Sequence, residues 1–283
     1  MAIMRGAEAF VKTLEEENVK YVFGLPGHGN MNILDAIYDS SRIDFKLVRH
    51  EQAAAHIADG YARMTGEVGV CCASVGPGAA NMIMGIAAAA ASSSPLLAVS
   101  GGIISKWAGR GQLQETSRAE TPTDQCYMQI VQPIVKKAWQ LTEPSLIPVI
   151  TRRAFSIAKA DRPGPVAIEL PWSLQAEFFD IEIPEPKGYE YNRRMRADEK
   201  SVSLAVEKLL SAECPVIIAG YGAVVSGAEE EILKIVELLG APVATSFLSK
   251  GIVSEEHPLS VGMVGWLGHP VAHEIIREHA DYV

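Results

Sequence analysis

Cysteine is scarce in this chain, and the four present do not combine. In 283 residues they stand at positions 71, 72, 126 and 214. Cys71 and Cys72 are neighbours in an apolar segment and point to opposite faces of a strand, while the other two are remote, so neither a disulfide framework nor a zinc spacing is present. Buried reduced thiols are the expectation. Long apolar runs are also missing, because the most apolar helical stretch, 79–91, falls short of the roughly 20 residues that a bilayer span takes. Positive charge is in short supply. With 25 Lys and Arg against 34 Asp and Glu, the net charge is −9 and no basic block offsets the acids, which argues against nucleic acid or an anionic membrane as partner. The start MAIMRGAEAF lacks the apolar core and small-residue cleavage site of a secretory signal, so the reading is cytoplasmic.

What is present is enough hydrophobic residue, 48%, for one large or two ordinary domains. Short apolar segments at 20–23, 45–48, 68–73 and 96–100 alternate with stretches whose apolar residues recur at helical spacing, beginning with Ala7, Phe10, Val11 and Leu14. That alternation predicts an α/β fold, a parallel sheet covered by helices on both faces. Asn30 or Asn32 is placed to cap the helix through Ile33, Leu34 and Ile37. A first domain, 1–180, closes with an amphipathic helix at 146–160 and a strand at 166–170. Residues 181–196, rich in proline and charge, read as a linker. A second α/β domain, 197–283, repeats the pattern through a Gly220-Tyr221-Gly222 turn and a helix at 228–239. The chain stops at Ala280-Asp281-Tyr282-Val283 as it enters a strand, which would leave that sheet incomplete; the expectation is a piece of a longer protein.

Glu51 is the residue around which a site is expected. It follows the apolar run 45–48 and opens a helix marked by Ala54, Ile57, Ala58 and Tyr61 and stopped by Gly66. A carboxylate at the carboxyl end of a strand faces the crevice where ligands sit in α/β domains, with little water around it, and burial raises a carboxyl pKa. The alternative is a glutamate that bonds its own helix-start amides. Ser74-Val75-Gly76-Pro77-Gly78 then turns from the strand at 68–73 into a helix near Ala79, with Asn81 in its first turn, so two strand ends meet one crevice. This loop is neither G-x-x-x-x-G-K-[ST] nor G-x-G-x-x-G, and a phosphate cradle has no motif behind it. Residues 101–125 form a long polar segment containing Leu113 and Gln114, of a length that is usually functional; a solvated loop is the alternative.

Six motifs follow one another in order: Phe23-Gly24-Leu25-Pro26-Gly27, Arg49-His50-Glu51-Gln52, Ala55-His56-Ile57-Ala58-Asp59-Gly60-Tyr61-Ala62-Arg63, Gly76-Pro77-Gly78-Ala79-Ala80-Asn81, Leu113-Gln114-Glu115 and Arg162-Pro163-Gly164-Pro165-Val166. Together they span about two thirds of the chain. This set resembles the pyrimidine-binding domain of thiamine-diphosphate enzymes and, within them, the acetolactate synthase group; 197–283 is similar to the start of the family's Rossmann-like central domain.

The resemblance implies a reaction and a set of roles. Glu51 matches the glutamate that hydrogen-bonds the aminopyrimidine and favours the imino form that removes the thiazolium C2 proton, ahead of 2-oxo acid decarboxylation and carbon–carbon bond formation. Pro26 and Gly27 would form a turn over thiamine diphosphate, Ser74, Gly76 and Asn81 would border its pyrimidine, and Gln114 would reach the active site as a catalytic residue. Lys136 matches a lysine near the substrate entrance, with a plain surface charge as the alternative. The helix at 79–91 would lie near the subunit contact or be a tightly packed core helix. A homodimer or homotetramer is implied, since one subunit's glutamate meets another's diphosphate site.

Departures from the family leave the substrate open. His28 stands where acetolactate synthases have glycine, and Leu113 where they have phenylalanine; both positions should border substrate, and His28 can donate to an acidic group or cap the turn. The alternatives are a sulfoacetaldehyde acetyltransferase, a benzoylformate-type or oxalyl-CoA decarboxylase, a non-catalytic partner subunit or a simple dinucleotide-binding protein. The family binds the cofactor diphosphate and Mg²⁺ in a C-terminal domain through Gly-Asp-Gly and an Asn-rich segment, which nothing here supplies; Asp59-Gly60 belongs to a helical pattern. FAD is possible in the central domain, although Gly220 and Gly222 match its turn loosely and a tight structural turn is the alternative. His269 and His273, four apart with Pro270 between, read as a helix start rather than a metal pair.

Overall fold

A computed structural model of the chain describes residues 2–104, 110, 114, 126–184 and 196–283. The chain divides into two compact units, 1–192 and 193–283. In chain order the first contains β1 Ala2–Arg5, α1 Gly6–Glu16, β2 Tyr21–Gly24, a 3-10 turn His28–Asn30, α2 Met31–Tyr38, β3 Asp44–Leu47, α3 Glu51–Thr65, β4 Gly69–Ala73, α4 Pro77–Asn81 and α5 Ile83–Ala91. It continues with β5 Leu96–Gly102, α6 Cys126–Val131, β6 Lys137–Gln140, α7 Leu146–Lys159, β7 Pro165–Pro171, α8 Trp172–Ala176 and β8 Phe178–Ile181.

Six of these strands form one sheet in the order β3-β2-β4-β5-β7-β6, and every pair is parallel. Helices cover both faces, because a parallel sheet joined by helical crossovers has no face left for water. Adjacent strand residues divide between the two layers as the pleat requires. Val70, Cys72, Val99 and Ile168 pack with Phe10 and Leu14 under α1 and α7, whereas Cys71, Ala73 and Ala167 pack with Ala55, Ala58, Met82 and Ile86 under α3 and α5. Cys71 and Cys72 thus face opposite layers as free, fully buried thiols, and burial pushes both up, Cys72 to about 12, so neither is a thiolate near neutral pH. No helix among the described residues is long and apolar enough to cross a membrane.

Three local features differ from the sequence reading. First, β1 and β8 pair antiparallel, Ala2 against Ile181 through Arg5 against Phe178, and tie the unit's two ends together. At four residues each, they carry too little alternation to be recognised. Second, the helix at 79–91 is two helices. It starts at Pro77, whose fixed φ suits a first turn, and breaks at buried Met82, whose N–H reaches back only to Ala79. Asn81 therefore closes α4 instead of opening a helix. The small residues beyond the break pack α5 tightly on α3, with a Cβ at Gly85 falling 2.5 Å from that of Ala55. Third, neither Asn30 nor Asn32 caps α2, since no side chain bonds its first amides.

The second unit contains α9 Glu199–Ser211, β9 Ile217–Ala219, α10 Tyr221–Ser226, α11 Glu229–Leu239, β10 Val243–Thr245, β11 Ser260–Met263 and α12 Pro270–Glu274. Its sheet runs β11-β10-β9, parallel throughout, and Pro215 bridges Tyr282 in parallel beside it. Ala219, Val236, Val243, Ile252 and Val253 make its core. His269 Nδ1 accepts from the Val271 N–H at the start of α12 and His273 Nε2 from the Gly265 N–H in the loop before it, so both imidazoles serve backbone amides.

Candidate active site

In the first unit the chain runs outward from β2 to β3, then returns past β2 to β4, so the sheet order reverses between β2 and β4. Ligands of open α/β sheets bind outside the strand ends at such a reversal. Three loops meet there, those after β2, β3 and β4.

The loop after β2 is held by Asn30, which is fully buried. Its Oδ1 accepts from the Gly27 N–H at 2.8 Å and its Nδ2 donates to the Leu25 carbonyl at 3.1 Å, which is why it is not available as a helix cap. Pro26 and His28 are left exposed on the rim. Gly27 lies flat on Ser74, where a Cβ would sit 2.5 Å from the serine Cβ, and Ser74 Oγ accepts from the Gly29 N–H at 2.9 Å.

After β3, His50 caps α3, its Nδ1 accepting from the Gln52 N–H at 3.2 Å. The cap leaves Glu51 free of its own helix. Instead of bonding helix-start amides, the carboxylate turns to α4, where Asn81 Nδ2 donates to its Oε2 at 3.0 Å and a Cβ at Gly78 would lie 3.3 Å from its Oε1. Glu51 is half-buried rather than shielded from water, since α4 covers one side only and the crevice opens on the other.

The loop after β4 turns at Gly76, with φ +63° and ψ −116°. A side chain here would be strained, and its Cβ would fall 2.2 Å from the Gln114 carbonyl oxygen. Gln114 itself has φ +66°, and its Oε1 is buried without a hydrogen-bond partner among the described residues. A non-glycine residue held in the left-handed region with an idle buried acceptor is the kind of local cost found at ligand sites.

Gly27, Ser74, Gly76, Asn81, Glu51 and Gln114 thus line one crevice, with Pro26 and His28 on its rim. Leu113 lies outside the described residues. Lys136 does not join them within the chain. It precedes β6 at the amino ends of the strands, its backbone N–H bonds Pro165 at the start of β7, and its Nζ donates to the Ala160 carbonyl at 2.6 Å. Partial burial pushes its ammonium down. Asp59 pairs with Arg63 one turn on, Nη2 to Oδ2 at 2.6 Å, and is a structural residue of α3.

Known proteins carry the same two units. Residues 4–122 match the family model described as thiamine pyrophosphate enzyme, N-terminal TPP binding domain, and residues 202–283 match thiamine pyrophosphate enzyme, central domain. The chain belongs to the thiamine pyrophosphate enzymes. It is 43% identical over 279 residues to the probable acetolactate synthase large subunit of Methanococcus aeolicus, covering 97% of this chain and 45% of that protein. Against the acetolactate synthase isozyme 3 large subunit of Escherichia coli strain K12 the identity is 35% over 271 residues, 95% of this chain and 46% of that protein. The chain spans about half the length of the curated relatives it matches.

For a thiamine pyrophosphate enzyme, the crevice suits the pyrimidine half of the cofactor. A ring N–H and an exocyclic amino group need acceptors, and Glu51 and the idle Oε1 of Gln114 are acceptors on two sides of one crevice. Among the described residues no group of three His, Cys, Asp or Glu side chains stands close enough to hold a metal ion.

The sheet also buries a second acid that sequence reasoning missed, because one glutamate in an apolar strand reads as a surface position. Glu169 of β7 is buried opposite Ser100 of β5, with Gln140 Nε2 donating to its Oε1 at 2.8 Å. The hydroxyls of Ser100 and Tyr127 are buried without hydrogen-bond partners among the described residues. Burial pushes the Glu169 carboxyl from 4.5 to about 7. Between those values the folded chain holds a proton that the unfolded chain releases, so stability is full below the lower value and falls as pH rises through the window. The loss is roughly 1.4 kcal/mol per unit and about 3 kcal/mol in all. Glu169→Gln keeps the Gln140 bond and is expected to abolish this slope, raising stability by about 3 kcal/mol above the window; urea titrations across the window measure it, and an unchanged slope would contradict it.

Proposed function

We propose that this chain forms the cofactor-activating part of an acetolactate synthase-like enzyme, which decarboxylates pyruvate and joins the two-carbon unit to a second 2-oxo acid. The observation that carries this reading is the Glu51 carboxylate, released from its own helix by the His50 cap and turned to Asn81 in the switch-point crevice.

When bound, thiamine diphosphate supplies the electron sink that decarboxylation of a 2-oxo acid needs. The chain supplies proton handling and position. Asn81 holds one carboxylate oxygen of Glu51, leaving the other to hold or accept the proton of a pyrimidine N–H. Gln114 offers its Oε1 to the amino group, Gly27 and Gly76 let backbone come close to a flat ring, and Ser74 fixes the turn that includes Pro26. His28 on the rim donates to the carboxylate of the acceptor substrate. Lys136 would act only across a subunit contact, in a homodimer or homotetramer in which another subunit binds the diphosphate and Mg²⁺. We place the enzyme in the cytoplasm.

A flavin dinucleotide in the second unit is supported by one observation. Gly220 has φ −99°, Gly222 lies in α10 without positive φ, and among the described residues no atom beyond the neighbouring backbone stands within 4 Å of a Cβ at either. The backbone needs glycine at neither position, which favours an approaching ligand over a tight structural turn.

The test is product analysis of the active protein carrying this chain, given pyruvate alone and pyruvate with aromatic 2-oxo acids. Acetolactate is the expected product with pyruvate alone. Turnover of another acid without acetolactate would move the reading to a related decarboxylase or acetyltransferase, with His28 as the residue responsible.

A further inference from the structure

Gln175 is fully buried at the end of α8, far from the crevice in sequence. Its Nε2 donates to the Gly29 carbonyl, 146 residues away, and to the Leu170 carbonyl, both at 2.7 Å, while its Oε1 has no hydrogen-bond partner among the described residues. A buried amide that uses its nitrogen alone is a costly way to fill space. What it holds is a single residue of the turn over the crevice.

Gly29 is gripped from three sides. Its N–H goes to Ser74 at the end of β4, its carbonyl lies where a Cβ at Gly101 of β5 would be 2.0 Å away, and Gln175 bonds the same carbonyl from behind. The support is itself fixed, because α8 presses on α1 so closely that a Cβ at Gly6 would fall 2.0 Å from the Leu174 carbonyl oxygen. Pro26, Gly27 and His28 are held from one side by Asn30, through the Gly27 N–H and the Leu25 carbonyl, and from the other by this clamped residue.

We infer that Gln175 is a positioning residue for the cofactor crevice: through the Gly29 carbonyl it sets the height of the turn at 26–29 above Ser74. The inference rests on reading the crevice as the pyrimidine site. Gln175 touches no ligand, and its effect passes through backbone.

Gln175→Met and Gln175→Glu separate positioning from plain stability. In the full chain, hydrogen exchange at the Gly27 and Gly29 amides is expected to accelerate by about tenfold or more in Gln175→Met, while amides of β5 such as Val99 keep their protection. In the active protein, the dissociation constant for thiamine diphosphate rises on the order of tenfold, about 1.4 kcal/mol of lost binding. Gln175→Glu regains protection at Gly29 as pH falls and its carboxyl becomes a donor, a dependence Gln175→Met lacks, and it carries the test if Gln175→Met does not fold. Unchanged exchange at Gly27 and Gly29, or lowered melting temperature with unchanged cofactor affinity, overturns the inference. Failure of the unaltered protein to bind thiamine diphosphate overturns the crevice reading and this inference with it, whereas equal binding by the unaltered protein and Gln175→Met overturns this inference alone.

Discussion

Glu51→Gln is expected to lower turnover by about 10²–10⁴-fold, the range a positioned acid–base group contributes, with little change in folding. The amide keeps the size and polarity of the carboxylate, and its oxygen can still accept from Asn81 Nδ2. Helix α3 loses nothing, since its cap is His50 rather than Glu51. What is lost is the ability to hold and return a proton. Cofactor affinity should fall far less than turnover, and that split distinguishes proton transfer from mere binding. Turnover within a few-fold of the unaltered enzyme would remove Glu51 from the chemistry.

A second large effect is expected from Gly76→Ala, with Gly66→Ala as its control. Both positions have positive φ, +63° and +72°, so each substitution strains the backbone by about 1 kcal/mol or more. Their surroundings differ. Among the described residues nothing beyond its chain neighbours lies within 4 Å of a Cβ at Gly66, the αL cap of α3, whereas a Cβ at Gly76 would meet the Gln114 carbonyl oxygen at 2.2 Å. Gly66→Ala should therefore lower stability by the strain alone and leave cofactor binding intact. Gly76→Ala must also drive Gln114 away from the crevice, and thiamine diphosphate affinity should drop by about tenfold or more, the loss of at least one hydrogen bond to the ligand. Equal cofactor affinities in the two variants would show that Gln114 is not held by Gly76.

Features that depend on one element and its immediate ends were legible in the sequence. The apolar spacing from Ala54 to Tyr61, closed by Gly66, marked α3 and put Glu51 at its first position, where the structure has it. The same pleat argument that set Cys71 and Cys72 on opposite faces agrees with their separation into two core layers. Features that depend on pairing across the fold were not legible. Nothing local in Asn30 says that its side chain turns back to Gly27 and Leu25 instead of capping α2, and nothing in Gln175 announces a bond to Gly29. Glu169 shows the same limit, because its burial is decided by the neighbouring strands rather than by its own. Lys136 shows a related limit: a motif gives a residue's neighbours in sequence, not the end of the sheet on which it stands, and the structure places it at the amino ends of the strands.

The most direct measurement is the rate of hydrogen–deuterium exchange at the thiazolium C2 of bound thiamine diphosphate, followed by proton NMR in the unaltered enzyme and in Glu51→Gln. If Glu51 governs the proton of the pyrimidine, exchange is much faster than for the free cofactor in the unaltered enzyme and returns toward the free rate in the variant. Equal acceleration in both proteins would contradict the account, because the carboxylate at the head of α3 would then have no part in activating the cofactor.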